Sequence, residues 1–278
     1  EPFYANYNGF AASSSLDVIP VASNFENKFE LPPVKDFEEK ITDKTRAILI
    51  CNPNNPTGYL YTIAEINSLV DLAVKKDIFI IVDEVYREFI YTDSKHYSIL
   101  QNKKANLHSI MIDSVSKRYS LCGARVGCMI SKNKKLMSTA LKFAHLRLSP
   151  PSLALMASEA AITAPKSYLE NVKKEYTIRR KVVIEALEKI KDVKVSIPMG
   201  AFYCIVKLPV NNAEDFSKFL LSDFQHDGQT VMLAPAAGFY TSPGLGKDQV
   251  RLAFVLESSK LKRAVEILEK ALVAYNNL

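Results

Sequence analysis

Apolar and polar residues alternate along the first half of the sequence in a way that predicts strands and helices in turn. Between the predicted strands, TIAEINSLVDLAVKK has apolar residues at helical spacing, and Thr62 followed by Glu65 predicts a capping box at its start. Further helices are predicted for KNKKLMSTALKFAHL and PSLALMASEAAITA. The strand predictions fall on short β-branched runs: LDVIPV, RAILICN, IFIIVDE, HSIMIDS and RVGCMIS. This alternation is typical of an α/β domain with a mostly parallel sheet flanked by helices.

The second half has a different pattern. A long amphipathic run over residues 166–190 predicts a helix that joins two domains. The elements predicted after it are VKVSI, AFYCIVK, TVMLA and VRLAF as strands, and AEDFSKFLLSDF and SSKLKRAVEILEKALVAY as helices. We therefore predict a large domain over residues 1–170 and a smaller α+β domain over residues 171–278.

Composition narrows the class of protein. A chain of 278 residues, 48% of them hydrophobic, can bury one large core or two moderate ones, which suits an enzyme better than a single binding module. The formal net charge is only +6, and no block of five basic residues occurs, so we expect no nucleic-acid binding. No apolar run reaches the length of a membrane span, and no secretory leader opens the chain. We expect no membrane association.

The cysteines indicate a reducing compartment. Cys51, Cys122, Cys128 and Cys204 form no C-x-x-C pair and are too sparse for a disulfide framework. We therefore expect a soluble cytoplasmic protein with four reduced thiols, and we assign no metal ligands.

Two segments place polar residues where predicted parallel strands end. NPNNPTG follows RAILIC, and its prolines and glycine predict a turn at the end of that strand, where Asn55 could cap its own backbone or face a ligand. In IVDEVYREF, Asp83 ends a buried apolar run, so it is either a cap or a carboxylate paired with a cation. Tyr86 is either a core aromatic residue or a phenol that points to the same site.

The segment SVSKRYSLCGARVG combines small residues, a lysine and an arginine after another predicted strand. Ser114 and Ser116 with Arg125 suit a phosphate group, and the glycines let backbone approach a ligand closely. Lys117 in a partly desolvated site beside other cations would have a lowered pKa, so that its neutral amine could form an imine. In the second domain, Arg251 lies within the apolar strand VRLAF, where it requires either a structural ion pair or a substrate carboxylate.

These motifs, in this order, resemble the aspartate aminotransferase superfamily of class I and II enzymes, which have the type I fold of pyridoxal 5′-phosphate (PLP) enzymes. The resemblance extends from PFYANYNGF through NPNNPTG, DEVY, SVSKRYSLCGARVG and PMGAFY to VRLAF. It implies a large domain of three layers, with a sheet between helices, and a smaller α+β domain. It also implies that PLP is the cofactor.

The resemblance implies a role for each matched residue. Lys117 would be the Schiff-base lysine and general base, and Asp83 would pair with the pyridine nitrogen of PLP. Arg251, with Asn55, would bind the α-carboxylate of the substrate. Asn55 and Tyr86 would also hydrogen-bond the phenolic oxygen of PLP. Ser114 and Arg125 would bind the phosphate, with Ser116 beside them. Tyr4 would pack against the face of the ring.

The matched region does not include the family's N-terminal arm or the helix that caps the phosphate. We therefore expect the chain to be part of a longer parent enzyme and to bind the phosphate poorly as it stands. A further departure is Ala236 in APAAGFY, where many relatives have glycine.

The resemblance leaves several functions open. Transamination between aspartate and a 2-oxo acid such as 2-oxoglutarate, by a homodimer, is the leading expectation. The alternatives are an aromatic or broad-specificity aminotransferase, a carbon–sulfur lyase of the same fold, and a ligand-sensing domain of a transcription regulator. A nicotinamide dehydrogenase is disfavoured because no G-x-G-x-x-G follows a strand.

Overall fold

A computed structural model describes residues 1–277 of the chain and contains the following helices and strands. The helices are α1 (Asn6–Ser13), α2 (Val34–Glu38), α3 (Ile63–Lys75), α4 (Val115–Arg118), α5 (Lys134–Arg147), α6 (Ser152–Ile162), α7 (Lys166–Leu187), α8 (Ala213–Ser222) and α9 (Ser258–Asn276). The strands are β1 (Ala47–Cys51), β2 (Phe79–Asp83), β3 (Ser109–Ser114), β4 (Gly127–Ile130), β5 (Lys194–Val195), β6 (Tyr203–Lys207), β7 (Ala234–Pro235) and β8 (Gln249–Ala253). Short 3-10 helices complete the connections.

Internal packing divides the chain into two units. Unit 1 comprises Glu1–Glu30, Asn55–Tyr59 and the chain from Lys173 onward, and unit 2 comprises Leu31–Asn54 and Leu60–Val172. The predicted division placed residues 1–30 in the large domain, whereas here they pack with the C-terminal part. Phe29 packs with Ile205, Ala236 and Phe239, which explains why this segment belongs to unit 1.

Unit 2 is built on a four-stranded sheet with the order β1-β2-β3-β4. β1 pairs with β2 and β2 with β3 in parallel, whereas β4 runs antiparallel to β3. The carboxyl ends of three strands therefore meet at one edge, at Cys51, Asp83 and Ser114. β4 begins at the same edge, because Gly127 pairs with Ser114. The predicted α/β class with a mostly parallel sheet is confirmed.

Helix α3 shows how the sequence pattern produces the core of unit 2. The Thr62 side chain accepts a hydrogen bond from Glu65 N (3.2 Å), and the Glu65 carboxylate accepts one from Thr62 N (2.7 Å). The predicted capping box is thus confirmed, and it satisfies amide groups that the helix start leaves unpaired. The apolar face of α3 packs on β1 and β2, and each large side chain buried there contributes about 1.5–3 kcal/mol before entropy is counted. That face consists of Ile66, Leu69, Val70, Leu72 and Ala73.

Unit 1 is built on a second, antiparallel sheet with the order β5-β6-β8-β7. Arg251 on β8 pairs with Ile205 on one side and with Ala234 on the other, so it lies in a central strand. Helices α8 and α9 contact each other, and the Phe216 ring meets the Tyr275 ring edge to face at 5.2 Å.

Two strand predictions are wrong. LDVIPV forms no strand, because residues 16–21 have no strand partner among the described residues and are exposed or half-buried. TVMLA contributes only Ala234 to β7. Among residues 1–277, no helix is long and apolar enough to cross a membrane.

Candidate active site

Asp83 occupies the last position of β2, between two parallel neighbours. It is paired in register with Cys51 on β1 and with Ile112 on β3. Its carbonyl oxygen accepts a hydrogen bond from Asn52 N (2.9 Å), and its carboxylate accepts one from Val85 N (3.2 Å). The backbone on both sides therefore fixes the Asp83 carboxylate at the carboxyl edge of the sheet, where open α/β sheets bind ligands.

Tyr86 lies in the turn that follows β2. Its side chain is 3% exposed, and its carbonyl accepts a hydrogen bond from Phe89 N at 2.9 Å. The residue is thus held within unit 2 at the same end of the sheet as Asp83.

Lys117 lies in α4, a single turn that begins directly after β3. Ser114 caps this turn, because its Oγ accepts from Ser116 N (3.1 Å) and donates to Val126 O (2.9 Å). The Lys117 side chain is half-buried, and its Nζ lies 3.9 Å from Cys122 Sγ. The lysine, the cap and the end of β3 therefore form one short, closely packed segment.

Arg125 follows a 3-10 turn and has a left-handed backbone, with φ of 56°. Its side chain is exposed, and Nη1 donates to Cys122 O at 2.9 Å. A side chain at the nearby Gly127 would place its Cβ 2.9 Å from Asp113 O, so glycine is required for the close pairing of β3 and β4. Arg125 thus lies in the chain two residues before Gly127, which pairs with Ser114, and the Ser114 and Ser116 hydroxyl groups are joined by a hydrogen bond at this end of β3.

Arg251 and Asn55 form the polar centre of a site in unit 1. Arg251 Nη1 donates to Asn55 Oδ1 at 3.1 Å, and Asn55 is only 4% exposed. The Arg251 guanidinium carbon lies 4.4 Å from the centre of the Tyr203 ring and 4.7 Å from that of Phe239. Arg251 Nε is buried and has no hydrogen-bond partner. A planar guanidinium with an unsatisfied donor is suited to a carboxylate.

Tyr4 belongs to the N-terminal segment of unit 1. Its hydroxyl oxygen accepts a hydrogen bond from Asn6 Nδ2 at 3.0 Å, and its half-buried ring meets the Tyr7 ring edge to face at 5.6 Å. The predicted residues thus lie in two groups, with Tyr4, Asn55 and Arg251 in unit 1 and the others in unit 2.

Sequence reasoning missed a buried acid and a histidine beside Asp83. Glu84 is completely buried, and burial raises its pKa to about 7. Burial also lowers the pKa of His96, to about 4. The position of Glu84, directly after Asp83 at the end of an apolar run, is a signal in the sequence that could have drawn attention to it.

The donors at the sheet edge of unit 2 fit PLP by their chemistry. The cofactor needs an amine to anchor it, a carboxylate for its ring nitrogen, and donors for its phosphate. These three types of group occur on segments that end or begin at one edge of the sheet. The amine is that of Lys117, the carboxylate is that of Asp83, and the phosphate donors are Ser114, Ser116 and Arg125. Among the described residues, no group of three or more His, Cys, Asp or Glu side chains could hold a metal ion.

Comparison with known proteins identifies the family. Residues 1–268 match the family described as aminotransferase class I and II. An aspartate aminotransferase of Pyrococcus horikoshii is 30% identical over 98% of this chain and 68% of its own length. The crystal structure of an aspartate aminotransferase from Thermotoga maritima has a TM-score of 0.86 and 30% identity, and the match covers 98% of this chain and 68% of that one. Aromatic-amino-acid aminotransferase 2 of Thermococcus litoralis is 27% identical over the same shares of both chains.

The fold and the site thus define an enzyme of the PLP-dependent transferase class with the type I fold. The chain belongs to the class I and II aminotransferases.

Proposed function

We propose that the enzyme to which this chain belongs catalyses transamination between L-aspartate and a 2-oxo acid such as 2-oxoglutarate, with PLP as its cofactor. The observation that carries the proposal is the group at one edge of the unit 2 sheet, where Lys117 follows β3 and Asp83 ends the adjacent β2. The similarity to the aspartate aminotransferase of Pyrococcus horikoshii supports the choice of donor.

Lys117 would hold the cofactor and then act on the substrate as a base. When bound, PLP supplies an electron sink for the negative charge that develops at the substrate Cα. Lys117 Nζ in its neutral form would accept the proton from that carbon and return it in the next step. Asp83 would keep a proton on the pyridine nitrogen by pairing its carboxylate with it.

The other residues would bind and orient. Ser114, Ser116 and Arg125 would donate hydrogen bonds to the phosphate, and Asn55 and Tyr86 would contact the phenolic oxygen. Tyr4 would pack against the ring. Arg251 would hold the substrate carboxylate, because its Nε is an unsatisfied buried donor and its Nη1 is already oriented by Asn55.

Borohydride labelling tests the assignment of Lys117. PLP is added to the purified protein, the absorbance of the bound cofactor is recorded, and the protein is reduced and digested for peptide mapping. We expect the pyridoxyl group on Lys117, and its loss in Lys117→Ala. Lys132→Ala is the matched control, because the Lys132 amine is occupied by Leu100 O and Asn106 Oδ1. A label on another lysine contradicts the proposal.

A product assay tests the reaction and the donor. Formation of a 2-oxo acid only in the presence of an oxo-acid acceptor supports transamination, whereas pyruvate and ammonia without an acceptor indicate lyase chemistry. Binding of amino acids without turnover would favour a sensor domain. An aromatic donor is the second candidate, because the relative from Thermococcus litoralis is an aromatic-amino-acid aminotransferase. Aspartate, tyrosine and phenylalanine are therefore compared at equal concentration.

We also propose that the enzyme is a cytoplasmic homodimer. Apolar side chains exposed on α5 and α6 support a second copy as the partner: Leu141, Phe143, Leu146, Leu153, Met156 and Ile162. The four cysteines are free thiols, which supports a reducing compartment.

A further inference from the structure

Glu84 is buried in a way that an ionised carboxylate would tolerate poorly. Its side chain is 0% exposed. Oε1 accepts hydrogen bonds from Ser98 Oγ (3.0 Å) and Ile99 N (2.8 Å), whereas Oε2 is buried without a hydrogen-bond partner. A charge on this carboxyl group would leave one oxygen unsatisfied at high cost.

The charges around Glu84 are already balanced. Arg118 Nη2 lies 2.6 Å from Asp113 Oδ2, and Arg118 Nε lies 3.3 Å from Glu88 Oε1. Arg87 Nη1 lies 3.9 Å from Asp113 Oδ2 and 3.9 Å from Glu84 Oε2. The two arginines are thus matched by Asp113 and Glu88, and an ionised Glu84 would add an unmatched negative charge to the cluster.

The His96 ring lies beside the Oε2 atom of Glu84. Its Nε2 lies 3.2 Å from Asn52 O, and only a protonated nitrogen can donate to a carbonyl oxygen. In a neutral imidazole, Nδ1 is then an acceptor, and this atom lies 3.8 Å from Glu84 Oε2. A proton on Oε2 would be attracted by that lone pair, whereas a carboxylate there would be repelled by it. An approach of about 1 Å by the side chains would close the gap to a hydrogen bond.

We propose that Glu84 and His96 form a neutral pair that positions the backbone beside Asp83. The pair acts through Asn52, whose carbonyl accepts from His96 and whose N–H donates to Asp83 O. Glu84 is also the residue after Asp83 in the chain, and its own N–H donates to Ile112 O at 2.8 Å. Backbone hydrogen bonds thus hold the end of β2 from both neighbouring strands, and His96 adds a side-chain contact to the Asn52 peptide on one side. The functional part of this inference rests on the proposed role of Asp83.

The neutral pair has a defined dependence on pH. The pKa of Glu84 is raised to about 7, chiefly by burial and to a smaller degree by Asp113, against the opposing effects of Ile99 N, Ser98 and Arg87. The pKa of His96 is lowered to about 4, chiefly by burial, with Arg87 and Arg118 acting in the same direction, whereas the hydrogen bond to Asn52 O and the charge of Asp113 act to raise it. Between pH 4.5 and 7, the folded protein therefore keeps a proton on Glu84 that the unfolded chain releases. Its contribution to stability is complete below pH 4.5 and is lost as the pH rises to 7.

Substitution by glutamine tests the neutral state, because a carboxamide resembles a protonated carboxyl group. We expect the melting temperature of Glu84→Gln to rise relative to the unsubstituted protein as the pH increases from 4.5 to 8. The contribution of His96 to the pH dependence of stability is present in both proteins, so it cancels when their melting temperatures are subtracted. Asp113→Asn is the matched control, because it breaks an ion pair in the same cluster and should lower the melting temperature clearly at pH 8. An equal loss in Glu84→Gln would overturn the proposal.

Nitrogen NMR of the imidazole rings tests His96 in the unsubstituted protein. The chain has only four histidines, so His96→Phe assigns the signal. We expect the neutral Nε2–H form of His96 throughout pH 5–8. An imidazolium signal that titrates within this range would show an ion pair with Glu84 instead and would refute the neutral pair.

PLP affinity tests the positioning role. His96→Phe removes the donor to Asn52 O, so we expect roughly three- to tenfold weaker PLP binding by absorbance titration. His226→Phe, a histidine of unit 1, should leave the affinity unchanged. Unchanged affinity in His96→Phe would overturn the positioning role. In a protein that binds no PLP, the proposed function fails, whereas the NMR and melting experiments still decide where the proton lies.

Discussion

Arg251 is held in place by contacts that leave part of its hydrogen-bonding capacity unused. The rings of Tyr203 and Phe239 lie close to the guanidinium carbon, and Asn55 accepts from one terminal nitrogen. These contacts orient the plane of the guanidinium before any ligand arrives. The buried and unpaired Nε is then a donor with a fixed direction. Such a preorganised donor loses little entropy when it binds a carboxylate.

Arg251→Lys is expected to weaken substrate binding although it keeps the positive charge. An ammonium group can neither form two parallel hydrogen bonds to a carboxylate nor stack on the rings as a guanidinium does. We expect kcat/KM for the amino-acid donor to fall by roughly 10- to 100-fold, the equivalent of about 1.4–3 kcal/mol. Steady-state kinetics with varied donor concentration measures the effect.

Arg263→Lys is the control for that experiment, because Arg263 pairs with Asp227 and Glu266 on the surface of unit 1. It should leave kcat/KM unchanged. Equal kinetics for Arg251→Lys and Arg263→Lys would show that Arg251 is a structural residue of β8.

The sequence allowed some of these residues to be recognised and not others. Asp83 ends an apolar run and Lys117 follows another, so their places at strand ends could be predicted from pattern alone. Glu84 and His96 could not be recognised in this way. The proposed pairing of Glu84 with His96 depends on the position of a proton and on a contact through Asn52. Neither feature produces a periodic pattern in the sequence.

Gly58, the last residue of NPNNPTG, has a conformation and a close environment that favour glycine. Gly58 has φ of 72°, and an added Cβ would lie 2.3 Å from Pro198 Cβ and 2.8 Å from Tyr203 O. Its carbonyl also accepts hydrogen bonds from Met199 N and Gly200 N, both at 2.8 Å. Gly58 is therefore packed closely against residues 198–203, within unit 1.

Gly58→Ala is expected to destabilise the protein by about 2–4 kcal/mol, because it combines a left-handed backbone with overpacking. Chemical denaturation followed by circular dichroism measures the loss. Gly123→Ala should change stability little, since nothing lies within 4 Å of the added Cβ. If both variants unfold at the same denaturant concentration, the close packing at Gly58 does not limit stability.

The elements differ in how well local sequence defines them. Helix α3 has both a capping box and an apolar stripe, and its observed bounds follow the pattern. LDVIPV is apolar in part, but a strand also needs a neighbour to pair with, and residues 16–21 have none among the described residues. The antiparallel direction of β4 could not be predicted from the sequence of the strand either, because the direction depends on the turn after α4 and not on the strand's own composition.

The exposed apolar side chains of α5 and α6 are the largest departure of unit 2 from an ordinary surface. Helix α5 has no buried residue, and Leu146 is 81% exposed. Single exposed apolar residues are common, whereas a group on two consecutive helices is typical of an interface. The proposed homodimer would cover this group.

Leu146→Glu is expected to shift the protein from dimer to monomer, because a buried interface tolerates an unpaired carboxylate poorly. Size-exclusion chromatography with light scattering, at several protein concentrations, measures the mass. Leu107→Glu is the control, because Leu107 is also exposed but lies in the loop before β3. A monomeric unsubstituted protein, or a dimer that withstands Leu146→Glu, would contradict the proposed interface.

The composition of unit 1 also affects the order in which the chain can fold on the ribosome. Phe29 is synthesised about 180 to 210 residues before its apolar partners Ile205, Ala236 and Phe239. Unit 2 ends at Val172, so all of its residues precede those partners, and domains generally fold as units during synthesis. Phe29 therefore stays without these three partners until β6 and residues 236–239 have been made. Translation speed between Phe29 and Phe239 thus sets how long this segment is available to chaperones.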